Sequence, residues 1–262
     1  MLKPSPAKKT FFRGLTYLVL VPLMMLVTAG FGCISLLSSL WDKSGRQQHA
    51  IARVWAYVMS WLSLSPVHVI HPENLRRGGA AVYVCNHLSY MDTPVLFSRL
   101  PFQFRILAKA NLWKIPFVGW HLHRSGQVPV DSSSMRSAVA SLNRGVAALK
   151  AGMPLLVFPD GGRAEDGRVQ PFLSGSAWMA IRAGVPIIPL ALVGTYELLP
   201  MHTYHLNPRP LLLIAGDPIS TETCTTKDAD EITQRVFDAV SAMYYQYSEH
   251  EAAHRNPDPE QH

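Results

Sequence analysis

The feature that most constrains this chain is a long uncharged segment near its N-terminus. Residues 14–41 contain no charged side chain and are mostly apolar, whereas a helix needs about 20 such residues to cross a bilayer core. A cleaved signal peptide has a shorter apolar region of about 7 to 15 residues. We therefore expect a membrane-embedded helix, with a buried core helix or a signal anchor as the alternatives.

A second apolar stretch covers residues 54–70 and has Trp55, Tyr57 and Trp61 in a pattern typical of interfacial anchors. The two stretches together predict a hairpin, within an anchoring region of residues 1–64, that enters one leaflet and returns. The alternative for the second stretch is an amphipathic helix packed on the following domain. Basic residues lie on both sides of the first segment, so charge alone does not set its orientation.

The composition narrows the class of protein further. Only 16% of the 262 residues are charged, against about 25% in a typical soluble chain, while 48% are hydrophobic and the formal net charge is +6. The high apolar content excludes a disordered chain. The absence of long basic runs argues against a nucleic-acid partner, so a membrane surface is the expected one. The three cysteines are far apart, which indicates neither disulfides nor a zinc site and favours a reducing compartment.

Short apolar runs alternate with helical patterns between residues 65 and 248. Such runs, separated by helices and lacking strict alternation, predict an α/β domain with a mixed, largely parallel sheet of about seven strands flanked by helices. The expected strands are 67–70, 80–85, 104–108, 127–130, 155–158, 187–193 and 211–215. The last helix is expected over about 228–247, with Val236, Val240 and Tyr247 on its packed face. The polar tail, 249–262, is expected to be flexible.

The sharpest cluster of functional side chains follows the second expected strand. His87 comes directly after it and Asp92 five residues later, so a turn in the chain would let the carboxylate orient the imidazole as a general base. A helix starting near Ser89 would supply that turn. The alternative is structural, because Ser89 and Asp92 also have the spacing of a helix capping box beside an ordinary loop histidine.

These residues carry a resemblance to a known family. Asn86, His87, Ser89 and Asp92 resemble the NHxSxxD motif of the 1-acylglycerol-3-phosphate acyltransferases, a family of glycerolipid acyltransferases. Four later segments resemble further blocks of that family in the same order, so the similarity extends over about residues 66–215. The segments are 109–119 (KANLWKIPFVG), 126–131 (GQVPVD), 158–163 (FPDGGR) and 185–189 (VPIIP).

The resemblance implies a mechanism with His87 and Asp92 as the catalytic residues. His87 would take the proton of an acceptor hydroxyl, Asp92 would orient His87, and the alkoxide would attack the thioester of acyl-CoA or acyl-acyl carrier protein. A thioester is already activated, so this chemistry needs no metal and no cofactor beyond that co-substrate. A serine hydrolase using Ser89 is disfavoured, because no GxSxG sequence occurs in the chain.

The same resemblance implies the substrate-binding residues. Arg163 is expected to bind the acceptor's phosphate, since a guanidinium grips phosphate with two parallel hydrogen bonds. Gly161 and Gly162 would bring backbone amides to the same anion, although they also fit a plain turn after a strand. Lys109 is expected as a second phosphate contact. The substrate-binding set also includes Asn86 and Ser89 of the first motif.

Departures from the family pattern leave the acceptor's head group open. The second block usually ends in Asp-Arg, but Ser132 follows Asp131 here, with Arg136 one helical turn later as a candidate substitute. In the third block Asp160 replaces the usual Glu and Gly162 the usual Thr. The changes remove polar side chains from the expected acceptor pocket.

We therefore expect a membrane enzyme, in an inner or cell membrane with its catalytic domain facing the cytoplasm, that acylates 1-acylglycerol-3-phosphate to phosphatidic acid. Its expected partners are the bilayer, a lysophospholipid acceptor and a thioester donor, with no nucleic acid. The alternatives are an acyltransferase or transacylase for another lysophospholipid or lyso-aminolipid, and a catalytically weak lipid-binding relative.

Overall fold

The computed structural model describes residues 6–42, 44–75, 79–115, 118–203 and 205–250. Their centre is a seven-stranded sheet with the order β1-β7-β6-β2-β5-β3-β4. Neighbouring strands run parallel except β6 and β7, which are antiparallel. The strands are β1 (Val67–Ile70), β2 (Val82–Cys85), β3 (Arg105–Lys109), β4 (Val128–Val130), β5 (Leu155–Val157), β6 (Ile187–Val193) and β7 (Leu211–Ala215).

This sheet confirms the predicted fold class. Each of the seven expected strands is present, and their boundaries differ from the expected ones by two residues at most. The central strands β2, β5 and β6 are buried along their whole length, which explains why their sequences are continuously apolar instead of alternating.

Helices cover both faces of the sheet. The helices are α1 (Pro6–Leu15), α2 (Val21–Ser38), α3 (Arg46–Leu62), α4 (Asp92–Arg99), α5 (Val118–Arg124), α6 (Met135–Lys150), α7 (Gly175–Ala183), α8 (Thr195–Leu198) and α9 (Ala229–Tyr247). Helix α4 packs on one face, where Val95 and Leu96 are fully buried. Helices α6, α7 and α9 pack on the other, around Met179 and Val240.

The packed face of α9 differs from the expected one by a small rotation. Tyr247 is 44% exposed, and Tyr244 is fully buried instead, four residues after Val240. The hydroxyl of Tyr244 donates to the carbonyl oxygen of Gly167 at 2.8 Å, which satisfies its polar end in the core. Of the polar tail, only residues 249 and 250 are described, so its expected flexibility falls on residues outside the description.

The N-terminal helix is continuous from Thr10 to Ser38 and is, within the described ranges, the one helix long and apolar enough to cross a bilayer. A π-helical turn, Thr16–Leu20, precedes Pro22, and its wider spacing accommodates a residue that lacks an N–H group. Only 11% of the most apolar 18-residue stretch of this helix is buried, whereas a helix in a protein core would be mostly buried. This exposure favours a membrane-facing helix over the core-helix alternative.

The chain turns back after α2, and α3 lies between α2 and the domain that contains the sheet. The indole N–H of Trp55 donates to the hydroxyl of Thr28 on α2 at 3.1 Å, while Ala56 and Met59 are buried. Tyr57 and Trp61 remain exposed. Helix α3 is therefore amphipathic and packed on the domain, as the alternative for the second apolar stretch expected, and joint membrane embedding of α2 and α3 stays a prediction.

Candidate active site

The first predicted functional pair meets in the structure. His87 follows β2 at its carboxyl end, and the chain turns through residues 88–91 before α4 begins at Asp92. The helix starts three residues later than expected near Ser89. This turn brings the imidazole Nδ1 of His87 to 2.8 Å from Oδ2 of Asp92.

Asp92 holds both the histidine and the turn. Its Oδ2 accepts backbone N–H bonds from Leu88 at 2.7 Å and Ser89 at 2.8 Å, in addition to the bond from His87. The carboxylate is fully buried, while the side chain of His87 keeps 13% exposure. Because a carboxylate only accepts, Nδ1 carries the ring proton and Nε2 of the neutral imidazole is left as a base.

The third block packs directly on the histidine. The ring of Phe158 stacks on that of His87, with centroids 4.0 Å apart and planes 14° from parallel. The backbone N–H of Ala164 donates to the carbonyl oxygen of His87 at 3.2 Å. These two contacts fix the loop after β5 over the base, and no local sequence pattern indicates either of them.

Asn86 and Ser89 have their side chains in the scaffold. The Asn86 amide bonds both the N–H and the carbonyl of Leu192 on β6, at 2.8 and 2.9 Å. The Ser89 hydroxyl donates to the carbonyl of Leu199 at 3.0 Å and accepts from the N–H of Met91. Both residues are fully buried, so these bonds give them a role in holding the turn, and their expected substrate contacts stay a prediction.

A cleft of about 530 Å³ opens beside this turn. Among the described residues that line it, Arg163 is the single cationic one, and its guanidinium lies 4.2 Å from the centroid of the Tyr90 ring. Gly161 has a φ of +71°, a left-handed conformation that is strained for residues with a side chain, so glycine suits this turn. The cleft is lined by Asp160, Gly161, Gly162, Arg163, Ala164, Glu165, Asp166 and Gln170.

Asp160 is a second buried carboxyl at the base of the cleft. Burial raises the pKa of Asp160 to about 8, the charge of Asp92 adds to the rise, and backbone N–H groups of Asp160 itself and His87 lower it only in part. Both oxygens are buried, and neither has a hydrogen bond of good geometry to another described residue. Asp160 is therefore mostly protonated at neutral pH, whereas its neighbour Asp92 accepts three hydrogen bonds.

The other predicted phosphate ligands lie farther along the same sheet edge. Lys109 is exposed at the end of β3, two strands from β2 and so roughly 10 Å away at the usual strand spacing. Arg136 lines a separate cleft of about 440 Å³, with Trp113, Asp131 and Arg144. The structure thus brings His87 and Asp92 beside the Arg163 cleft, and it places Arg136 outside that cleft.

Two residues at the site were missed by the sequence interpretation. Tyr90 was not assigned a role, although an aromatic side chain inside a catalytic turn is a usable signal. Asp160 was noted only as a departure from the family pattern, because its burial follows from the packing of the loop after β5. No group of three or more histidine, cysteine, aspartate or glutamate side chains that could hold a metal ion occurs among the described residues.

Known proteins match both the sequence and the fold. The family model described as Acyltransferase matches residues 66–193. A chloroplastic 1-acyl-sn-glycerol-3-phosphate acyltransferase of Arabidopsis thaliana is 35% identical over 58% of this chain, which spans only 42% of that relative's length. A chloroplastic 1-acyl-sn-glycerol-3-phosphate acyltransferase of Brassica napus is 33% identical over 62% of this chain, which spans 47% of that relative's length.

Two further matches cover more of both chains. The 1-acyl-sn-glycerol-3-phosphate acyltransferase of Saccharomyces cerevisiae is 31% identical over 86% of this chain and 76% of its own. The crystal structure of the 1-acyl-sn-glycerophosphate acyltransferase PlsC from Thermotoga maritima superposes with a TM-score of 0.73 over 92% of this chain and 97% of its own, at 23% identity, and so shows the shared fold. With the yeast match and the family model in agreement, this chain belongs to the acyltransferase family of the 1-acyl-sn-glycerol-3-phosphate acyltransferases.

Proposed function

We propose that this protein transfers an acyl chain from an acyl thioester to the free hydroxyl of 1-acylglycerol-3-phosphate, giving phosphatidic acid. The observation that carries the proposal is the bond of 2.8 Å between His87 and Asp92, made at the carboxyl end of β2 beside a cleft that holds Arg163. The names of the relatives support the same acceptor.

The chemistry follows from the imidazole tautomer. Nε2 of His87 takes the proton of the acceptor hydroxyl while the oxygen attacks the thioester carbonyl, and Asp92 stabilises the imidazolium that forms. The tetrahedral intermediate then collapses, the C–S bond breaks, and the thiolate leaves with the proton from His87. The ester and a free thiol are the products, so no covalent intermediate on the enzyme and no metal enter this sequence of steps.

Arg163 is proposed to bind the phosphate of the acceptor. The other ionisable residues in the described lining of its cleft are acidic, namely Asp160, Glu165 and Asp166, so binding of an anionic ligand depends on this one guanidinium. Gly161 and Gly162, adjacent in the chain, allow close approach of the ligand to the backbone. The donor is proposed to be acyl-CoA or acyl-acyl carrier protein.

The location of the two substrates suggests how the protein sits at a membrane. An amphiphilic acceptor arrives from a bilayer, toward which the exposed apolar residues of α2 would face, and a water-soluble thioester arrives from the cytoplasm. We propose that the catalytic domain lies on the cytoplasmic side, because thioester donors are found there. The formal charge of +6 would favour approach of an anionic donor.

Purified full-length protein in detergent micelles, given labelled acyl-CoA or acyl-acyl carrier protein and a panel of lysolipids, tests the proposal. We expect thioester-dependent formation of phosphatidic acid that is lost in His87→Ala. If the acyl chain is transferred only from a phospholipid, the protein is a transacylase and the proposed thioester-dependent activity is rejected. Binding of lysolipids without any transfer would replace it with a lipid-binding function.

For the phosphate assignment, Arg163→Ala is expected to raise the Michaelis constant for lysophosphatidate about tenfold or more, since a charged hydrogen-bonded pair contributes roughly 1.5–3 kcal/mol. Arg182→Ala, which removes an arginine on α7 from a contact with Trp178, is the matched control and should leave this constant unchanged. An unchanged constant in Arg163→Ala would reject the assignment.

A further inference from the structure

Tyr90 contacts Arg163 in a way that the reaction scheme above does not use. The guanidinium lies over the face of the tyrosine ring, 4.2 Å from its centroid, which is well inside the range of a cation–π contact. Tyr90 is 50% exposed, so the ring is at the surface of the site and is not a core residue. No Asp or Glu side chain pairs with Arg163 in the part of the chain that the structure describes.

The position of the Tyr90 ring is fixed by the catalytic turn. Ser89, immediately before it, donates its N–H to Asp92 and its hydroxyl to the carbonyl of Leu199. Met91, immediately after it, donates its N–H to the Ser89 hydroxyl. Ser89 is therefore bonded to the same carboxylate as His87, and Met91 is bonded to Ser89, so the backbone on both sides of Tyr90 has a defined place relative to the base.

Arg163 needs such a support more than most arginines. It is exposed, and an exposed arginine side chain loses rotamer entropy when a ligand orders it. Two carboxylates, Glu165 and Asp166, line the same cleft, and either would compete with an anionic ligand if it turned toward the guanidinium. A ring under the guanidinium restricts its rotamers, while the N–H groups in the guanidinium plane stay available for hydrogen bonds.

The carboxylates already have other partners, which keeps the competition low. Glu165 pairs with His202 at 3.0 Å, and Asp166 accepts from the backbone N–H of Arg168 at 3.0 Å and from the side chain of Gln170. The guanidinium, stacked on Tyr90, is thus the group of the cleft whose charge is left for a ligand. The cation–π contact and the occupied carboxylates act in the same direction.

We propose that Tyr90 is a positioning residue for acceptor recognition: its ring holds Arg163 in the orientation that binds the phosphate of the acceptor at a fixed distance from His87. This inference rests on the proposed function, since it assumes that Arg163 binds a phosphate. It assigns to Tyr90 an effect on the affinity for phosphate-bearing lysolipids and none on the proton transfer itself.

The test uses equilibrium binding of a short-chain lysophosphatidate to the full-length protein, by titration calorimetry below the micelle-forming concentration, together with kcat and KM. Tyr90→Leu is expected to weaken binding about tenfold, because it removes the cation–π contact that holds the Arg163 guanidinium. KM rises in parallel and kcat stays within about twofold. Tyr90→Phe keeps the ring and is expected to keep wild-type binding.

The double variant shows whether Tyr90 acts through Arg163. In an Arg163→Ala background, Tyr90→Leu is expected to cause no further loss, since two residues that act as one unit are not additive. Tyr247→Leu, which removes another half-exposed tyrosine on α9, is the matched control and leaves binding unchanged. Equal thermal unfolding midpoints of the variants confirm that each is folded.

The possible outcomes distinguish the phosphate-binding role of Arg163 from the positioning role of Tyr90. If Arg163→Ala weakens binding and Tyr90→Leu does not, the role of Tyr90 is rejected and the phosphate assignment stands. If Tyr90→Phe is as weak as Tyr90→Leu, or if Tyr90→Leu adds to Arg163→Ala, the tyrosine contacts the ligand directly and the positioning role is rejected. If Arg163→Ala binds normally, the phosphate assignment and the inference built on it are both rejected.

Discussion

His87 and His49 are both largely buried histidines with aromatic neighbours, and their surroundings differ in one decisive way. His87 stacks on Phe158 and bonds the carboxylate of Asp92 at 2.8 Å. His49, on α3, is 6% exposed between Phe97 and Phe104, and its Nε2 donates to the carbonyl oxygen of Phe102 at 3.2 Å. The hydrogen-bond partner of His87 carries a negative charge, whereas that of His49 is the neutral dipole of a carbonyl group.

The difference decides what each ring can do with a proton. Asp92 stabilises an imidazolium, so His87 can accept a proton during the reaction. Burial lowers the pKa of His49 to about 4, with the charge of Arg53 adding to the fall and the Phe102 carbonyl opposing it. The Nδ1 atom of His49 is also buried and has no hydrogen bond to any described residue. Aromatic packing alone therefore makes a structural histidine, and the buried carboxylate converts the same side chain into a candidate base.

The largest expected effect comes from removing the base. His87→Ala is expected to lower kcat about 10³-fold or more, since a positioned general base contributes roughly 10²–10⁴. His49→Gln, measured per folded molecule, is the matched control and should keep wild-type kcat. Acyl transfer from labelled acyl-CoA to lysophosphatidate measures both variants, and more than a tenth of wild-type kcat in His87→Ala would show that another group is the base.

Removing the charge while keeping the shape is expected to have the next largest effect. Asp92→Asn retains an oxygen for the N–H groups of Leu88 and Ser89, but it no longer stabilises the imidazolium of His87. We expect kcat to fall roughly 10²–10³-fold with KM for lysophosphatidate nearly unchanged. A fall in thermal stability that accounts for the loss would instead give Asp92 the capping role alone.

The sequence was sufficient to predict this pair and the sheet that carries it. The strands were recognisable because they are continuously apolar and lie between turn residues, and His87 and Asp92 because they follow a strand at a spacing with a chemical use. The placement of the pair at 2.8 Å follows from a turn in which the Asp92 side chain bonds the backbone, so the later start of α4 and the meeting of the two side chains have one cause.

The remainder of the site depends on contacts between distant segments. The stacking of Phe158 on His87, the contact of Tyr90 with Arg163 and the burial of Asp160 all arise where the loop after β5 meets the loop after β2. Such contacts leave no periodicity in the sequence. The same holds for His49, whose neighbour Phe104 lies on a different segment of the chain.

The role of His49 is tested by the dependence of the protein's stability on pH. The folded-state pKa of His49 is about 4, below the ordinary value of about 6.5, so the unfolded chain binds more protons between these values. The contribution of neutral His49 to the free energy of unfolding is complete above about pH 6.5 and is lost as the pH falls toward 4. We expect His49→Gln, which keeps a donor for Phe102 but does not titrate, to lose about 2 kcal/mol less stability over this interval.

Urea unfolding in detergent micelles at several pH values between 4 and 7 measures this difference. At pH 7 the variant is expected to be the less stable protein, because glutamine packs poorly between two phenylalanine rings. The gap should narrow as the pH falls. If the free energies of unfolding of the two proteins change with pH in parallel, His49 titrates alike in the folded and unfolded states. His49 would then not be a buried neutral histidine that contrasts with His87.

The smallest expected effect separates the aromatic neighbours of the two histidines. Phe158→Leu keeps an apolar side chain but removes the ring stacked on His87, a contact of roughly 0.5–1.5 kcal/mol beyond its buried area, so we expect kcat to fall about threefold. Phe97→Leu removes a ring beside His49 and is expected to lower the unfolding midpoint without changing kcat. If Phe97→Leu lowers kcat as much as Phe158→Leu, the two packing sites are coupled. The ring of Phe158 would then have no particular part in orienting the base.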